Sequence, residues 1–294
     1  MSGLTARLAA RRAGGWLRSI KRSLGYYRLR ATLERPRFVR ALRPTDVFLV
    51  GHPKSGNTWL AYLLAMVVEP VDPDRVDLVN VGRYLPFVHG REHRIADYGG
   101  LADPRIFRNE YPRFWSSYPK VIYLYRDPRA VVVSLWEMYR TMLGDRRLPL
   151  DRFVDQYLAG NGVFRHWNSN LERWDRQVGR ALDAAAGGGH LLLARYEDLV
   201  ADRAAVLAEV SRFAGLDPSP ERLADAVARG DFDAMRSLED RGGAEAYRGR
   251  ARGSGRFVRV GRVDGWRDEL PPDLAARLVE TLGPVMLRAG YPLD

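Results

Sequence analysis

The feature that most restricts the fold of this chain is an apolar run that ends in a glycine-containing turn and leads into a helical pattern. Residues 46–50, Asp-Val-Phe-Leu-Val, have the apolar character of a strand buried in a parallel sheet. The turn 51–59 contains two glycines, and residues 60–68 follow as a predicted helix. This order places backbone N–H groups at a helix N-terminus, where they can bind an anion.

The same alternation recurs along the chain. Residues 121–125 and 191–196 are predicted strands, and each is followed by helical patterning, at 129–142 and 202–214. Further helical patterns lie at 152–184 and 271–288. Strands that alternate with helices predict an α/β fold with a P-loop-like, doubly wound parallel sheet flanked by helices.

The positive charge is concentrated at the N-terminus. The chain of 294 residues has a net charge of +11, and residues 1–45 contain 12 of its 47 Lys and Arg residues but only one acid, Glu34. The remainder has 35 basic and 35 acidic residues and is neutral. We therefore predict a basic N-terminal helical arm, 1–45, and one catalytic domain, 46–294.

The arm mixes arginines with apolar and aromatic residues such as Trp16 and Leu17, which is typical of a helix on an anionic membrane surface. A solvated or domain-packed segment is the alternative. The neutral body argues against nucleic acid as a partner. Because no apolar run reaches about 18 residues and residues 1–30 lack a secretory h-region, we predict a cytoplasmic protein, with peripheral association at the inner face of the membrane as an option.

The position of Lys54 discriminates between classes of phosphate-binding loop. A nucleotide P-loop carries its lysine directly after the second glycine, where this chain has Asn57. This argues against an ATP-dependent P-loop phosphotransferase, which stays the weaker alternative among enzymes. Lys54 is one of only three lysines, so a compact ammonium is favoured there over arginine.

The segment Pro-Lys-Ser-Gly-x-Thr-Trp, residues 53–59, resembles the 5′-phosphosulfate loop of the cytosolic-type sulfotransferases, which use 3′-phosphoadenosine 5′-phosphosulfate (PAPS). The resemblance implies PAPS as co-substrate and adenosine 3′,5′-bisphosphate (PAP) as product. The donor-binding residues that it implies in this loop are Lys54, Ser55, Gly56, Asn57, Thr58 and Trp59.

Further segments resemble the same family in the same order along the chain. The matching positions are Arg126 and Ser134 for the 3′-phosphate, Tyr196 and Phe232 for the adenine, and Arg259 and Gly261 for the 3′-phosphate again. An arginine fork and a hydroxyl are suitable donors to a phosphate dianion. The chain departs from the family at Val260, where a lysine is usual, and Arg262 is a candidate to compensate.

A second departure concerns the base. The family delivers a catalytic histidine at the end of a strand, and the corresponding stretch here, 106–112, has Glu110 at that position. Sulfuryl transfer needs a base for the acceptor proton, and a desolvated carboxylate can serve. Glu110 is therefore the candidate base, Arg108 a candidate to bind the sulfonate or position the acceptor, and Lys54 the candidate to stabilise the leaving oxygen.

Three histidines are rival bases. His52 adjoins the phosphosulfate loop, and His89 and His93 lie in the predicted acceptor region, 80–105. A packing role is the alternative for His52, and a surface position is the alternative for the other two. No clustered His, Asp and Glu spacing indicates a metal site.

The resemblance predicts a sulfotransferase whose acceptor is shaped by residues 80–105 and by the glycine- and arginine-rich stretch 241–256, predicted as a mobile loop over the site. Their Arg, His and Tyr residues favour a carbohydrate or glycolipid acceptor, while phenols and peptides stay open. A catalytically silent, membrane-associated PAP or PAPS binder is the alternative from another class, because the family histidine is missing.

Overall fold

In a computed structural model of the protein, the described residues are 24–68, 70–142, 148–160, 172–240, 258–259 and 261–294. Four parallel strands form one sheet with the order β2-β1-β3-β4. The strands are β1 (Val47–Gly51), β2 (Ile106–Asn109), β3 (Lys120–Tyr125) and β4 (Leu191–Arg195). The chain runs from β1 to the edge strand β2 and then crosses back to β3, so β1 lies at a switch point where such folds bind ligands.

Helices connect and cover these strands. The α-helices are α1 (Leu24–Ala41), α2 (Asn57–Val67), α3 (Val81–Tyr84), α4 (Pro128–Met142), α5 (Leu150–Leu158), α6 (Trp174–Ala186), α7 (Tyr196–Ala201), α8 (Arg203–Ala214), α9 (Pro220–Arg229), α10 (Phe232–Leu238) and α11 (Pro272–Arg288). Short 3₁₀ segments lie at Pro73–Arg75, Glu92–Tyr98, Trp115–Ser117 and Gly265–Asp268. Within the described ranges, no helix is both long and apolar enough to cross a membrane.

The two faces of the sheet carry separate cores, because successive side chains of a strand point to opposite faces. On β1, Phe48 packs with residues of α1, α4, α5, α6 and α11, whereas Leu49 packs with residues of α2, α8 and α9. Tyr123 and Ile122 of β3 divide between the same two cores. The predicted doubly wound α/β fold is thereby confirmed.

Helix α1 shows how part of the predicted arm is used. Phe38 is completely buried, and its ring lies 6.0 Å from Phe48, 5.0 Å from Phe114 and 5.7 Å from Tyr118. Residues 24–41 therefore form a helix that packs on the body. The first 23 residues of the predicted arm and the predicted loop 241–256 lie outside the described residues.

Candidate active site

The loop after β1 is held in a conformation that favours glycine. Lys54 has φ of 72° and Gly56 has φ of 101°, both in the left-handed region. A Cβ at Gly56 would lie 2.7 Å from Cδ2 of Tyr196, so the ring and the loop are in close approach. The backbone N–H of Ser55 donates to the carbonyl of His52 at 3.1 Å, and α2 begins at Asn57. The predicted loop and helix N-terminus are both present.

Lys54 lies among charges from four other segments. Burial lowers its pKa to about 8; Arg126 and Arg259 also lower the pKa, whereas Glu110 and Glu239 raise it. The ammonium is therefore still mostly charged at pH 7 but loses its charge in mildly alkaline solution. The structure brings together three predicted site residues, Lys54, Glu110 and Arg126, although they are far apart in sequence.

Glu110 directly follows β2. Burial raises the pKa of its carboxyl group, while the hydrogen bond from Asn57 and the charges of Lys54 and Arg108 lower it. Nδ2 of Asn57 donates to Oε1 of Glu110 at 3.2 Å. Desolvation makes the carboxylate of Glu110 a stronger base, and the neighbouring cations oppose this effect.

Asn57 joins β1 to the glutamate. Besides Glu110, its Nδ2 atom is 3.3 Å from the carbonyl of Gly51 and 3.2 Å from that of His52. These bonds orient the amide so that its donor side faces the carboxylate. Sequence reasoning placed Asn57 in the site through its backbone only, because nothing local indicates where its side chain points.

The predicted adenine side of the site is aromatic. The guanidinium of Arg126 lies 4.1 Å from the ring centroid of Tyr196, and the Tyr196 ring lies 5.7 Å from that of Trp59. A Cβ at Gly261, where φ is 69°, would overlap the ring of Phe232. The two predicted adenine contacts, Tyr196 and Phe232, thus each lie against a predicted phosphate-loop glycine.

Among the residues predicted to bind PAPS, two hydrogen-bond donors have no partner among the described residues. These are Oγ of Ser55 and Nε of Arg126, and both are buried. Because buried donors without partners cost stability, such atoms indicate a place for an anionic ligand.

The residues predicted to bind the 3′-phosphate include Arg259, which is ion-paired, and Ser134, which lies on a helix. Arg259 donates to both carboxylate oxygens of Glu269, at 2.8 and 3.0 Å, so a phosphate would compete with this pair. Arg262 pairs with Asp268 on the exposed surface. Ser134 lies half-buried on α4. Val260 lies outside the described residues.

Arg108 contacts residues of the predicted acceptor region, 80–105. Its Nε donates to the carbonyl of Leu85 at 2.8 Å, and its guanidinium lies 5.4 Å from the ring centroid of Phe87. Arg108 therefore contacts Leu85 and Phe87 within the predicted acceptor region and supplies positive charge to Glu110. Direct contact with a sulfonate stays a prediction.

The rival histidines have other surroundings. His52 is completely buried, with Nδ1 at 3.0 Å from the carbonyl of Pro53 and Nε2 at 3.5 Å from the hydroxyl of Tyr157; burial lowers its pKa to about 4. Burial likewise lowers the pKa of His89 to about 4. His93 faces α1, where Nδ1 is 3.3 Å from Oε1 of Glu34. These contacts favour Glu110 as the base.

Two side chains that sequence reasoning missed form hydrogen bonds with the segment that carries Glu110. Nε2 of Gln177 on α6 donates to the backbone carbonyl of Glu110 at 2.9 Å. Glu92, in the 3₁₀ segment Glu92–Tyr98, accepts hydrogen bonds from Asn109 and Arg113, which lie on either side of Glu110 in sequence. Neither has a local signal, since both act across segments distant in sequence. Within the described part of the chain, no group of three or more His, Asp and Glu side chains is placed to hold a metal ion.

Comparison with known families identifies the family of the chain. The model of the sulfotransferase domain family matches residues 44–290. The chain belongs to the sulfotransferase domain family, which confirms the resemblance found in the sequence. The match begins at the end of α1 and covers every described strand.

Similar proteins include two curated relatives. Human sulfotransferase 2B1 is 29% identical over 207 residues, which are 67% of this chain and 53% of the human protein. The 3-beta-hydroxysteroid sulfotransferase of Cavia porcellus is 26% identical over 208 residues, 67% of this chain and 68% of the relative. The chain thus spans only about half of the length of the human protein.

The fold is also similar to that of solved structures. A crystal structure of retinol dehydratase in complex with retinol and PAP aligns with a TM-score of 0.67 at 19% identity and covers 86% of each chain. At this identity the likeness concerns the fold.

Proposed function

We propose that the protein is a sulfotransferase that moves a sulfuryl group from PAPS to the hydroxyl group of an acceptor. The observation that carries the proposal is that the charges of Lys54 and Glu110 interact at the adjacent ends of β1 and β2, while Asn57 of the same loop donates a hydrogen bond to Glu110. One site thereby combines a cation for the leaving phosphate with a base for the acceptor.

The residues present fit PAPS. The unpartnered Oγ of Ser55 and Nε of Arg126 are donors for anionic oxygens, and the glycines at 56 and 261 leave room against the rings of Tyr196 and Phe232. When bound, PAPS supplies an activated sulfuryl group on a phosphate leaving group.

The chain's own residues divide the remaining chemistry. Glu110 takes the acceptor proton as the acceptor oxygen forms its bond to sulfur, and Lys54 stabilises the phosphate oxygen whose bond to sulfur breaks. The proton ends on Glu110, and the donor leaves as PAP. Arg126, Ser134 and Arg259 hold the 3′-phosphate.

The acceptor that we propose is a small hydroxyl-bearing molecule, with carbohydrates and glycolipids favoured. Rings lie close to Glu110: His89 and Tyr111 have centroids 4.0 Å apart, and Phe87 is 5.6 Å from His89. Such rings offer apolar faces with polar edges, which suit a sugar or another ring-shaped acceptor. The names of the relatives point to a steroid and to retinol, which are also small alcohols.

We further propose that the acceptor is presented at an anionic membrane surface. On α1, Leu33 and Val39 are exposed together with Arg37 and Arg40, while Phe38 is buried. An exposed helix face of arginines and apolar residues suits a negatively charged bilayer.

The test of the proposed chemistry is Glu110→Gln. Because the amide cannot take the proton, we expect kcat to fall by about 10²–10⁴-fold while the Kd for PAP changes little. Transfer from labelled PAPS would first be detected in an extract of the native cell by mass spectrometry, and kcat then measured on the acceptor found.

Glu209→Gln, an exposed change of the same kind on α8, is the matched control and should retain full kcat. A Glu110→Gln enzyme with unchanged kcat would disprove the role of Glu110. A wild-type protein that binds PAP but sulfates nothing would instead establish the silent binder.

A further inference from the structure

The fully buried carboxylate of Glu92 contacts the loop that carries Glu110. Oε1 of Glu92 accepts hydrogen bonds from Nδ2 of Asn109 at 3.1 Å, the backbone N–H of Arg113 at 2.8 Å and the hydroxyl of Tyr118 at 2.8 Å. Oε2 accepts from Nε of Arg113 at 2.7 Å. A buried carboxylate is costly unless its oxygens are satisfied, and here four donors satisfy it.

Two of the partners of Glu92 flank Glu110 in sequence. Asn109 directly precedes Glu110, and Arg113 follows it by three residues. Oδ1 of Asn109 also accepts from the backbone N–H of Tyr111 at 3.0 Å. The carboxylate of Glu92 therefore binds the backbone after Glu110 directly, through the N–H of Arg113, and also through the side chain of Asn109.

We propose that Glu92 is a positioning residue, which fixes the carboxylate of Glu110 opposite Lys54 by binding both flanks of residues 109–113. This role rests on the proposed function, since it assumes that Glu110 is the base. Glu92 has no exposed surface, so it acts through the loop and not on a substrate. Proton transfer depends on the placement of the base, and a shift of about 1 Å can cost about 10²-fold in rate.

The network is anchored beyond the loop. Nη1 of Arg113 donates to Oε2 of Glu34 on α1 at 2.7 Å, and Tyr118 stacks on Phe48 of β1 with centroids 3.8 Å apart. Burial raises the pKa of Tyr118 well above its usual value, so its hydroxyl stays protonated and donates to Glu92. Glu92 thus connects the loop to the central sheet and to α1.

Glu92→Gln tests the proposal, because the amide places N–H groups where Arg113 and Asn109 also donate. We expect kcat to fall about 10–100-fold, while KM for PAPS and Kd for PAP change less than about twofold. Asp46→Asn is the matched control, since Asp46 is a buried carboxylate that holds Arg105 at 2.6 and 2.7 Å at the amino end of β1. It should lower the thermal stability without lowering kcat.

Glu92→Gln in the Glu110→Gln background separates positioning from other effects. If Glu92 acts through Glu110, the double variant is no slower than Glu110→Gln alone. Should Glu92→Gln not fold, Arg113→Lys removes the Nε bond, keeps the backbone bond and should also lower kcat.

The outcomes distinguish the two proposals. If Glu110→Gln lowers kcat and Glu92→Gln does not, only the positioning role of Glu92 is overturned. The same holds if Glu92→Gln lowers kcat by its full factor again in the double variant. A Glu110→Gln enzyme with unchanged kcat overturns the proposed function and with it the role of Glu92.

Discussion

The carboxyl group of Glu110 is subject to opposing influences. Burial raises its pKa, whereas the Asn57 hydrogen bond, Lys54 and Arg108 lower it. A base must be deprotonated before it reacts, so kcat should rise with pH through the pKa of Glu110. Lys54, with a pKa of about 8, must stay protonated, so kcat should fall as the pH rises past that value. We therefore interpret the site as one with a bell-shaped pH dependence.

Asn57→Leu should move one limb of that profile. Leucine removes the donor that favours the carboxylate, so the pKa of Glu110 rises further and the acid limb of kcat shifts upward by about one pH unit. The pH dependence of kcat measures the shift, with the alkaline limb as internal reference. An acid limb that stays in place or moves down would show that the Asn57 bond does not tune Glu110.

Among the elements, the loop between β1 and α2 is defined by backbone conformation. Gly56 combines a left-handed φ with the Tyr196 ring close to where a Cβ would lie. Any side chain there forces the loop or the ring to move, and with them the N–H groups at the start of α2.

Gly56→Ala should destabilise the fold by at least about 1–2 kcal/mol, because alanine is strained in the left-handed region. We also expect weaker PAP binding. Thermal unfolding with and without PAP measures both effects. Gly100→Ala is the control, since a Cβ there meets no atom within 4 Å, and equal losses in the two variants would contradict the explanation.

Most elements could be predicted from local patterns, and their ends could not. The predicted strand 191–196 ends at Arg195 and Tyr196 opens α7, because the strand pattern does not show where pairing with β3 stops. The pattern at 152–184 covers most of α5 and α6, which begin at Leu150 and end at Ala186, and residues 161–171 between them lie outside the described residues. Helices α9 and α10 were not predicted, although Ser219 and Asp231 cap their N-termini.

On the scale of the whole molecule, α1 lies beside the edge strand β2, which leads to Glu110. Its C-terminal residue, Ala41, accepts a hydrogen bond from Arg105 just before β2, while Glu34 contacts Arg113 beyond the other end of that strand. Helix α1 thus runs opposite to β2. Leu24 lies about 15 Å beyond Glu34 along the helix axis, on the side of Glu110.

Because α1 exposes Arg37 and Arg40, the full chain should bind anionic vesicles. We expect it to sediment with vesicles containing phosphatidylserine but not with pure phosphatidylcholine, and to dissociate at high salt, since each arginine near the surface contributes about 1 kcal/mol. The double variant Arg37→Glu/Arg40→Glu should bind more weakly. Arg75→Glu/Arg212→Glu, which changes two exposed arginines of the body by the same charge, is the control; equal binding by both variants would contradict a surface on α1.

The βα units, the loop at Lys54-Ser55-Gly56 and the family follow from the amino-acid sequence alone, because each depends on residues close together in the chain. Which distant groups come into contact depends on the tertiary fold. The parallel pairing of β1 with β2 brings Asn57 to Glu110, and folding of the 3₁₀ segment against β2 brings Glu92 to Asn109. Such contacts depend on strand order and burial, which local periodicity does not encode.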